Sequence, residues 1–287
     1  MAIALSIDKK LCIKCGRCVK VCPAKIFIQE DHHDDVGVQS VDSCIICGHC
    51  VAVCPEDAVL HADFPVEKVH KIDYSQLPTP EQMMLLCRVR RSNRAFSSKQ
   101  ISEINLDLIV EAAHRAPTGS NTQHVKFLTI TNAEKLRQIT EFTIRVFNDA
   151  LRKVKNPLIK PILKLIMPDA LRYIPTFERI LDDYNKGGDE ILRKATAAIF
   201  IYTPKATRMG VLDANLAYQN GSLMAESLGI SQFYTGFVLN ASKMKKGTLE
   251  RLLGIDGEIH AGMALGMPAF RFPKYIDRKD IKEIRIL

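Results

Sequence analysis

Apolar residues recur with changing period along this chain, and the changes mark its elements. Thr79-Pro80-Glu81 reads as a helix start: an N-cap, a proline at the first position and an acidic first turn. MMLLCRV then carries a predicted helix to Arg91. INLDLIVEAAHRA (104–116) is amphipathic at helical spacing. VKFLTIT (125–131) alternates and is β-branched, which predicts a strand. Residues 132–154 return to the helical period, with Asn132 as N-cap, and ATAAIFIYTP (195–204) is a strand run closed by Pro204. LDANLAYQNGSLMAESLG predicts a helix ending at Gly229. ISQFYTGFVL (230–239) and EIHAGMALGMP (258–268) read as further strands. Strands separated by long helices predict an α+β fold.

The first 65 residues follow another logic. Eight of the nine cysteines fall there, as Cys12, Cys15, Cys18, Cys22 and Cys44, Cys47, Cys50, Cys54. Each run reads C-x2-C-x2-C-x3-C-P, and CIKCGRCVKVCP and CIICGHCVAVCP also share an Ile, a Gly and two Val. A repeat with a period of 32 residues implies two similar halves. Zinc takes four ligands per ion, usually from separated C-x2-C pairs, and suits these triplets poorly. Three closely spaced thiolates can wrap three corners of a four-iron cubane, leaving the fourth to a distant ligand.

This segment resembles the bacterial two-cluster ferredoxins over residues 1–65. The resemblance implies two [4Fe–4S] clusters that exchange their fourth ligands. Cluster I then takes Cys12, Cys15, Cys18 and Cys54, and cluster II takes Cys44, Cys47, Cys50 and Cys22. Gly16 and Gly48 let backbone amides approach the sulfides, and Val19, Val21, Val51 and Val53 are expected to shield the clusters. The segment 30–37 reads as an acidic hairpin or turn; His49 is either a tuning residue or a solvent-facing bystander. Cys87, the ninth cysteine, is expected to be buried and free.

Proline-rich residues 66–80 read as a linker between this domain and a second one over 81–287. No apolar run reaches the ~18 residues that span a bilayer, so a cytoplasmic, membrane-free protein is expected. The formal net charge is +8, with the first 70 residues acidic and the rest strongly basic. A basic half invites a nucleic-acid reading, but two clusters with their thiolates would add about −4. No reader motif for nucleic acid is present. Fingerprints for dinucleotides, P-loop phosphates or a nucleophile elbow are likewise missing, so chemistry in the second domain points to a cofactor and no catalytic side chain is nominated.

Three segments of that domain need a common explanation. Arg90-Arg91-Ser92-Asn93-Arg94 offers forked donors for a phosphate and a polyhydroxyl chain, though such a run is also an ordinary solvated face. Ala116–Gln123 puts amide side chains on a small-residue loop, suited to a heterocycle edge or to a plain turn. Gly266–Lys279 alternates basic and aromatic residues, as a surface strand also would. In this order they resemble the nitroreductase family of FMN enzymes over residues 80–287. R-R-S-x-R matches Arg90, Arg91, Ser92 and Arg94. A-P-S-x-x-N-x-Q matches Ala116, Pro117, Thr118, Asn121 and Gln123. MAESLGISQFYTGF puts Tyr234, Thr235 and Gly236 beside the ring, and the late G-Y-P with a terminal base matches Gly266, Met267, Pro268 and Arg278. The usual Pro-Trp after the Gln is here His124-Val125.

The resemblance implies an FMN oxidoreductase, with a mostly antiparallel sheet flanked by helices, acting as a homodimer with flavin at the interface. The helix at 213–229 has an apolar face for such a contact. Electrons are expected to pass through both clusters to FMN and then to a small nitroaromatic or quinone-like acceptor, with external ferredoxin or NAD(P)H as candidate donors. Rival readings are a non-catalytic electron carrier and other flavin chemistry of the family, such as enone reduction or reductive dehalogenation. The segment 148–182 is read as a cap-like insertion, or as a membrane-surface or partner-docking patch.

Overall fold

The computed structural model describes residues 4–157 and 173–286. They form two compact units, one of Met1–Pro78 with Gly119–Thr122, the other of Thr79–Thr118 with Gln123–Leu287.

In the first unit the sequence repeat becomes a repeat of backbone conformation. Strand β1 (Leu5–Ile7) pairs antiparallel with β4 (Val59–His61), and β2 (Phe27–Ile28) pairs with β3 (Gly37–Val38). Helices α1 (Arg17–Val21) and α2 (His49–Val53) have five residues each and start from the left-handed glycines Gly16 and Gly48. Lys14 and Ile46, and Lys25 and Asp57, also lie at positive φ, each pair 32 residues apart. A non-glycine residue at positive φ costs roughly 1–3 kcal/mol. Such strain at matched positions marks two loops bent alike around something. The core is small: Ile26, Phe27, Val36, Val51 and Val59 close around the buried Cys18 and Cys50.

The second unit is built on an antiparallel sheet in the order β5 (Lys126–Ile130), β6 (Ala197–Thr203), β8 (Glu258–Gly266), β7 (Ser231–Tyr234). Helices cover both faces. One face holds α4 (Glu103–His114) and α7 (Gly210–Ser227), packed on Ala197, Ile199 and Ile201 of β6. The opposite face of β6, Ala198 and Phe200, meets α5 (Ala133–Lys155), α6 (Ile174–Asn185), α8 (Gly236–Met244) and α9 (Thr248–Leu253). Burial on both faces explains why β6 reads as a continuous apolar run. The remaining helix, α3 (Pro80–Val89), is opened by Thr79 and Gln82 in a capping box. Asn132 caps α5 by accepting from the Lys135 amide.

Two expectations fail here. The strand read over 230–239 stops at Tyr234, and Gly236–Met244 is helical. Val238, Leu239, Ala241 and Ser242 bury one helical face, a spacing hidden by the β-branched and aromatic residues around it. Cys87 is exposed: among the described residues α3 has none buried, and Met83, Met84 and Leu85 are uncovered too. Part of the expected cap, residues 158–172, lies outside the described residues. Its flanks belong to the core: Ile180 is fully buried, and Phe177 stacks on Phe147 at 4.2 Å. Among the described residues no helix is long and apolar enough to cross a membrane.

Candidate functional site: two cysteine cages and an arginine turn

The eight cysteines divide between two cavities. One is lined by Cys12, Cys15, Cys18 and Cys54, the other by Cys22, Cys44, Cys47 and Cys50. Each takes three cysteines of one run and the last of the other. Backbone donors aim at the thiolates. Ile26 N–H donates to Cys22 Sγ at 3.4 Å and Ala58 N–H to Cys54 Sγ at 3.3 Å, the same bond in both halves. Ile46 N–H donates to Cys44 Sγ at 3.4 Å. Burial pushes the Cys18 thiol up and the Cys50 thiol up to about 11, so a positive iron is needed to displace those protons at neutral pH. Four thiolates around each cavity, with amides turned toward them, fit a cubane cluster.

The walls differ from the expected ones. Ile7, Ile13, Val36 and Val59 line the first cavity, and Leu5, Ile26 and Phe27 the second, while Val19 and Val51 pack in the core behind them. His49 lines the second cavity, and so does His61. The sequence reading passed over His61, which sits at the end of β4.

In the second unit the chain from Arg90 to Ser97 is laced between two distant segments. Ser92 bridges Gln232 of β7 in parallel, and Phe96 bridges Pro268. Ser97 N–H donates to the Met267 carbonyl at 2.8 Å, and Ala269 N–H to the Ala95 carbonyl at 3.0 Å. Asn93 pins the turn from inside. It is buried, its Nδ2 donates to Ser231 Oγ at 2.8 Å, and its Oδ1 accepts from Ala95 N–H at 3.0 Å. The R-R-S-x-R segment, the 234–236 segment and the start of the C-terminal segment are thereby brought together.

The side chains around this turn are cationic and aromatic. Arg94 lies 5.3 Å from the Phe233 ring centre, and Arg91 lies 4.7 Å from that of Phe272. Tyr218 of α7 donates its hydroxyl to Gln232 Oε1 at 2.7 Å. Burial pushes that phenol up to about 12, against the opposing pull of the Arg90 and Arg94 charges. Tyr234 packs edge-on against Tyr218 at 4.8 Å and donates to Asn215 Oδ1 at 3.0 Å. Thr235 Oγ1 and Gln232 Nε2 are buried without a partner among the described residues. A Cβ added at Gly236 would meet nothing within 4 Å. Orphaned polar atoms close to a cationic turn fit a polar, phosphate-bearing ligand.

Other nominated residues lie elsewhere. Thr118 Oγ1 accepts from Gln123 N–H at 3.0 Å, and both line a small cavity with His114 and Asp213. Pro117 is exposed beside them. Asn121 clusters with the first unit, where its Nδ2 donates to the carbonyls of Ile45 at 3.0 Å and Ile46 at 2.7 Å. Arg278 is on exposed chain beyond β8. A cavity of about 720 Å³ adjoins the turn, lined by Arg91, Asn93, Ser231 and Pro268 together with Arg271 and Lys274.

The sequence profile of the Nitroreductase family matches residues 87–267, and that of a 4Fe-4S dicluster domain matches residues 4–55. The chain belongs to the nitroreductase family. A protein of Archaeoglobus fulgidus described as an NADH dehydrogenase/NAD(P)H nitroreductase is 26% identical over 209 residues, covering 71% of this chain and 91% of its own. The fold is shared with a nitroreductase from Desulfitobacterium hafniense with bound FMN (TM-score 0.54, 19% identity, 70% of this chain and 97% of that one). It is shared also with a BluB-like flavoprotein from Clostridium difficile (TM-score 0.53, 18% identity, 71% and 99%). In this nitroreductase-family chain the sequence reading missed Asn93, Tyr218 and Gln232. Asn93 alone left a signal, as the unassigned residue inside the arginine run.

Proposed function

We propose that this protein is an iron–sulfur flavoenzyme: electrons enter through two [4Fe–4S] clusters, pass to FMN and reduce a small nitroaromatic or quinone-like acceptor. The observation that carries the reading is the lacing of the arginine turn to β7 by Ser92 and Asn93, in a chain that also builds two four-cysteine cages.

FMN, when bound, supplies the storage of one or two electrons that joins one-electron clusters to a two-electron product. The protein's share is binding and electrostatics. Arg90, Arg91, Ser92 and Arg94, with Arg278 from the tail, are assigned to the phosphate and ribityl chain. Thr118 and Gln123 are assigned to the heterocycle edge, and Tyr234, Thr235 and Gly236 to the ring. Cationic side chains near the ring favour its anionic reduced form. The exposed Met83, Met84 and Leu85 of α3 and Val211, Leu212 and Leu216 of α7 support a homodimer, since uncovered apolar helix faces mark contact surfaces.

The test is anaerobic purification with iron, sulfide and FMN quantified, followed by reduction with NADH, NADPH or reduced ferredoxin offered separately. Arg94→Ala is expected to lose flavin while keeping its iron. Full flavin and normal reduction in that variant would remove the arginine turn from the site. Rapid cluster–flavin equilibration with no turnover of any acceptor would favour a plain electron carrier.

A further inference from the structure

The two cysteine cages are built from one repeat, yet their surroundings differ at one matched position. His61 in the second half corresponds to Gln29 in the first, 32 residues earlier. Gln29 spends both amide hydrogens on backbone, donating to the Lys14 carbonyl at 3.0 Å and the Asp34 carbonyl at 2.9 Å. No side chain among the described residues donates to a sulfur of the first cage. His61 is different: its Nε2 lies 3.7 Å from Cys44 Sγ.

The direction of that contact follows from the other ring nitrogen. Nδ1 accepts from Asp63 N–H at 3.2 Å and lies 3.5 Å from the Asp63 carboxylate. A neutral ring accepting at Nδ1 carries its proton on Nε2. With Nδ1 taken by Asp63 N–H, Nε2–H points at the Cys44 sulfur. The ring is also held in place. It is 5% exposed, packs against Phe64 at 4.9 Å between centres, and its backbone pairs with Leu5 across β1 and β4.

We infer that His61 is a positioning residue for electrons, donating a hydrogen bond to the Cys44 thiolate that raises the reduction potential of cluster II above that of cluster I. This rests on the two-cluster reading of the cages and goes beyond it by ranking the clusters. A donor to a ligating sulfur draws off negative charge and favours the reduced, more negative cluster. When dithionite delivers one electron to the oxidised pair, that electron settles on cluster II. Any electron first caught by cluster I moves on, cluster I being oxidised by one and cluster II reduced by one.

The test uses the anaerobically purified holoprotein and an EPR-monitored titration that resolves both clusters. Wild type is expected to reduce cluster II first. His61→Met keeps the bulk and removes the donor. It is expected to shift the distribution toward cluster I by ~10-fold, which is about 59 mV for one electron, with cluster I itself unmoved. His61→Gln, which can still donate, should recover part of the shift. An unmoved cluster II, or equal movement of both clusters, overturns the inference. Should His61→Met fail to fold, 15N-imidazole histidine in a His49→Gln background gives a second reading by electron spin echo. Nitrogen coupling to reduced cluster II is expected there, and its absence overturns the inference. Fewer than two clusters per chain in the wild type would instead refute the two-cluster reading itself.

Discussion

Asn93→Ala tests whether the arginine turn is held by the bonds described. The substitution removes the Nδ2 donor to Ser231 Oγ at 2.8 Å and the Oδ1 acceptor for Ala95 N–H at 3.0 Å. Ser231 is buried, so its hydroxyl loses a partner that water does not readily replace, and Ala95 N–H is left half-buried. Unsatisfied groups of this kind cost about 1–3 kcal/mol each, so a total of roughly 2–4 kcal/mol is expected after relaxation. The chain has no tryptophan, so unfolding is best followed by circular dichroism in urea, under anaerobic conditions. Total stability alone would not separate the bond from general packing. A double-mutant cycle with Ser231→Ala does: if the two side chains bond, the second substitution costs about 1 kcal/mol less in the Asn93→Ala background than in wild type. FMN should also bind more weakly, since Ser92 and Arg94 flank the lost anchor. Strict additivity within about 0.3–0.5 kcal/mol, together with unchanged flavin affinity, would refute the reasoning.

Two further outcomes follow from the cages and the sheet. Cys54→Ala is expected to empty the cage of Cys12, Cys15 and Cys18, and Cys22→Ala the other, each lowering iron from about eight atoms per chain to about four. If Cys54→Ala and Cys50→Ala abolish the same EPR signal, the exchange of ligands between runs is wrong. On β8, His260 Nε2 lies 2.8 Å from Thr203 Oγ1, whose own hydrogen is donated to the Pro204 carbonyl, and burial holds the histidine pKa below its ordinary value. The unfolded chain takes up that proton first, so this stability is present above pH ~6.5 and is lost as the pH falls toward the folded value. His260→Gln should flatten the fall in Tm between about pH 7.5 and pH 5.5 relative to wild type; parallel curves would dismiss the linkage.

The parts legible in the sequence are those whose information is local. The cysteine triplets were legible from spacing, because three ligands of each cage lie within seven residues of one another; the fourth ligand of each was given only by the resemblance to two-cluster ferredoxins. Helix starts at Thr79 and Asn132 followed from capping residues whose bonds close over three positions. The turn from strand to helix at Thr235 was not legible, because the buried face of α8 is set by packing against distant α5. Nor was the Asn93–Ser231 bond, which spans 138 residues. Cys87 misled for a related reason. Its apolar neighbours are core-like in pattern, yet Met83, Met84 and Leu85 are exposed among the described residues. His61 lies at the same repeat offset as Gln29; the sequence aligned them, and only geometry showed that one reaches sulfur while the other turns to backbone.

That asymmetry is not confined to one side chain. The bonds common to both halves, from Ile26 to Cys22 and from Ala58 to Cys54, put one donor on each exchanged ligand and so cannot rank the clusters. The extra donors described around the cages converge on Cys44, from Ile46 N–H at 3.4 Å and His61 Nε2 at 3.7 Å. Asn121 acts on the same atom at one remove. It donates to the Ile45 carbonyl at 3.0 Å, and the N–H of that same peptide unit is the Ile46 donor. Donation to a carbonyl polarises its peptide and strengthens the bond its N–H makes, by roughly 10–30%. A duplicated scaffold alone would give two clusters of similar potential and no preferred resting place for an electron. Concentrating the departures on a single thiolate gives the pair a direction without disturbing the cage geometry that the repeat provides.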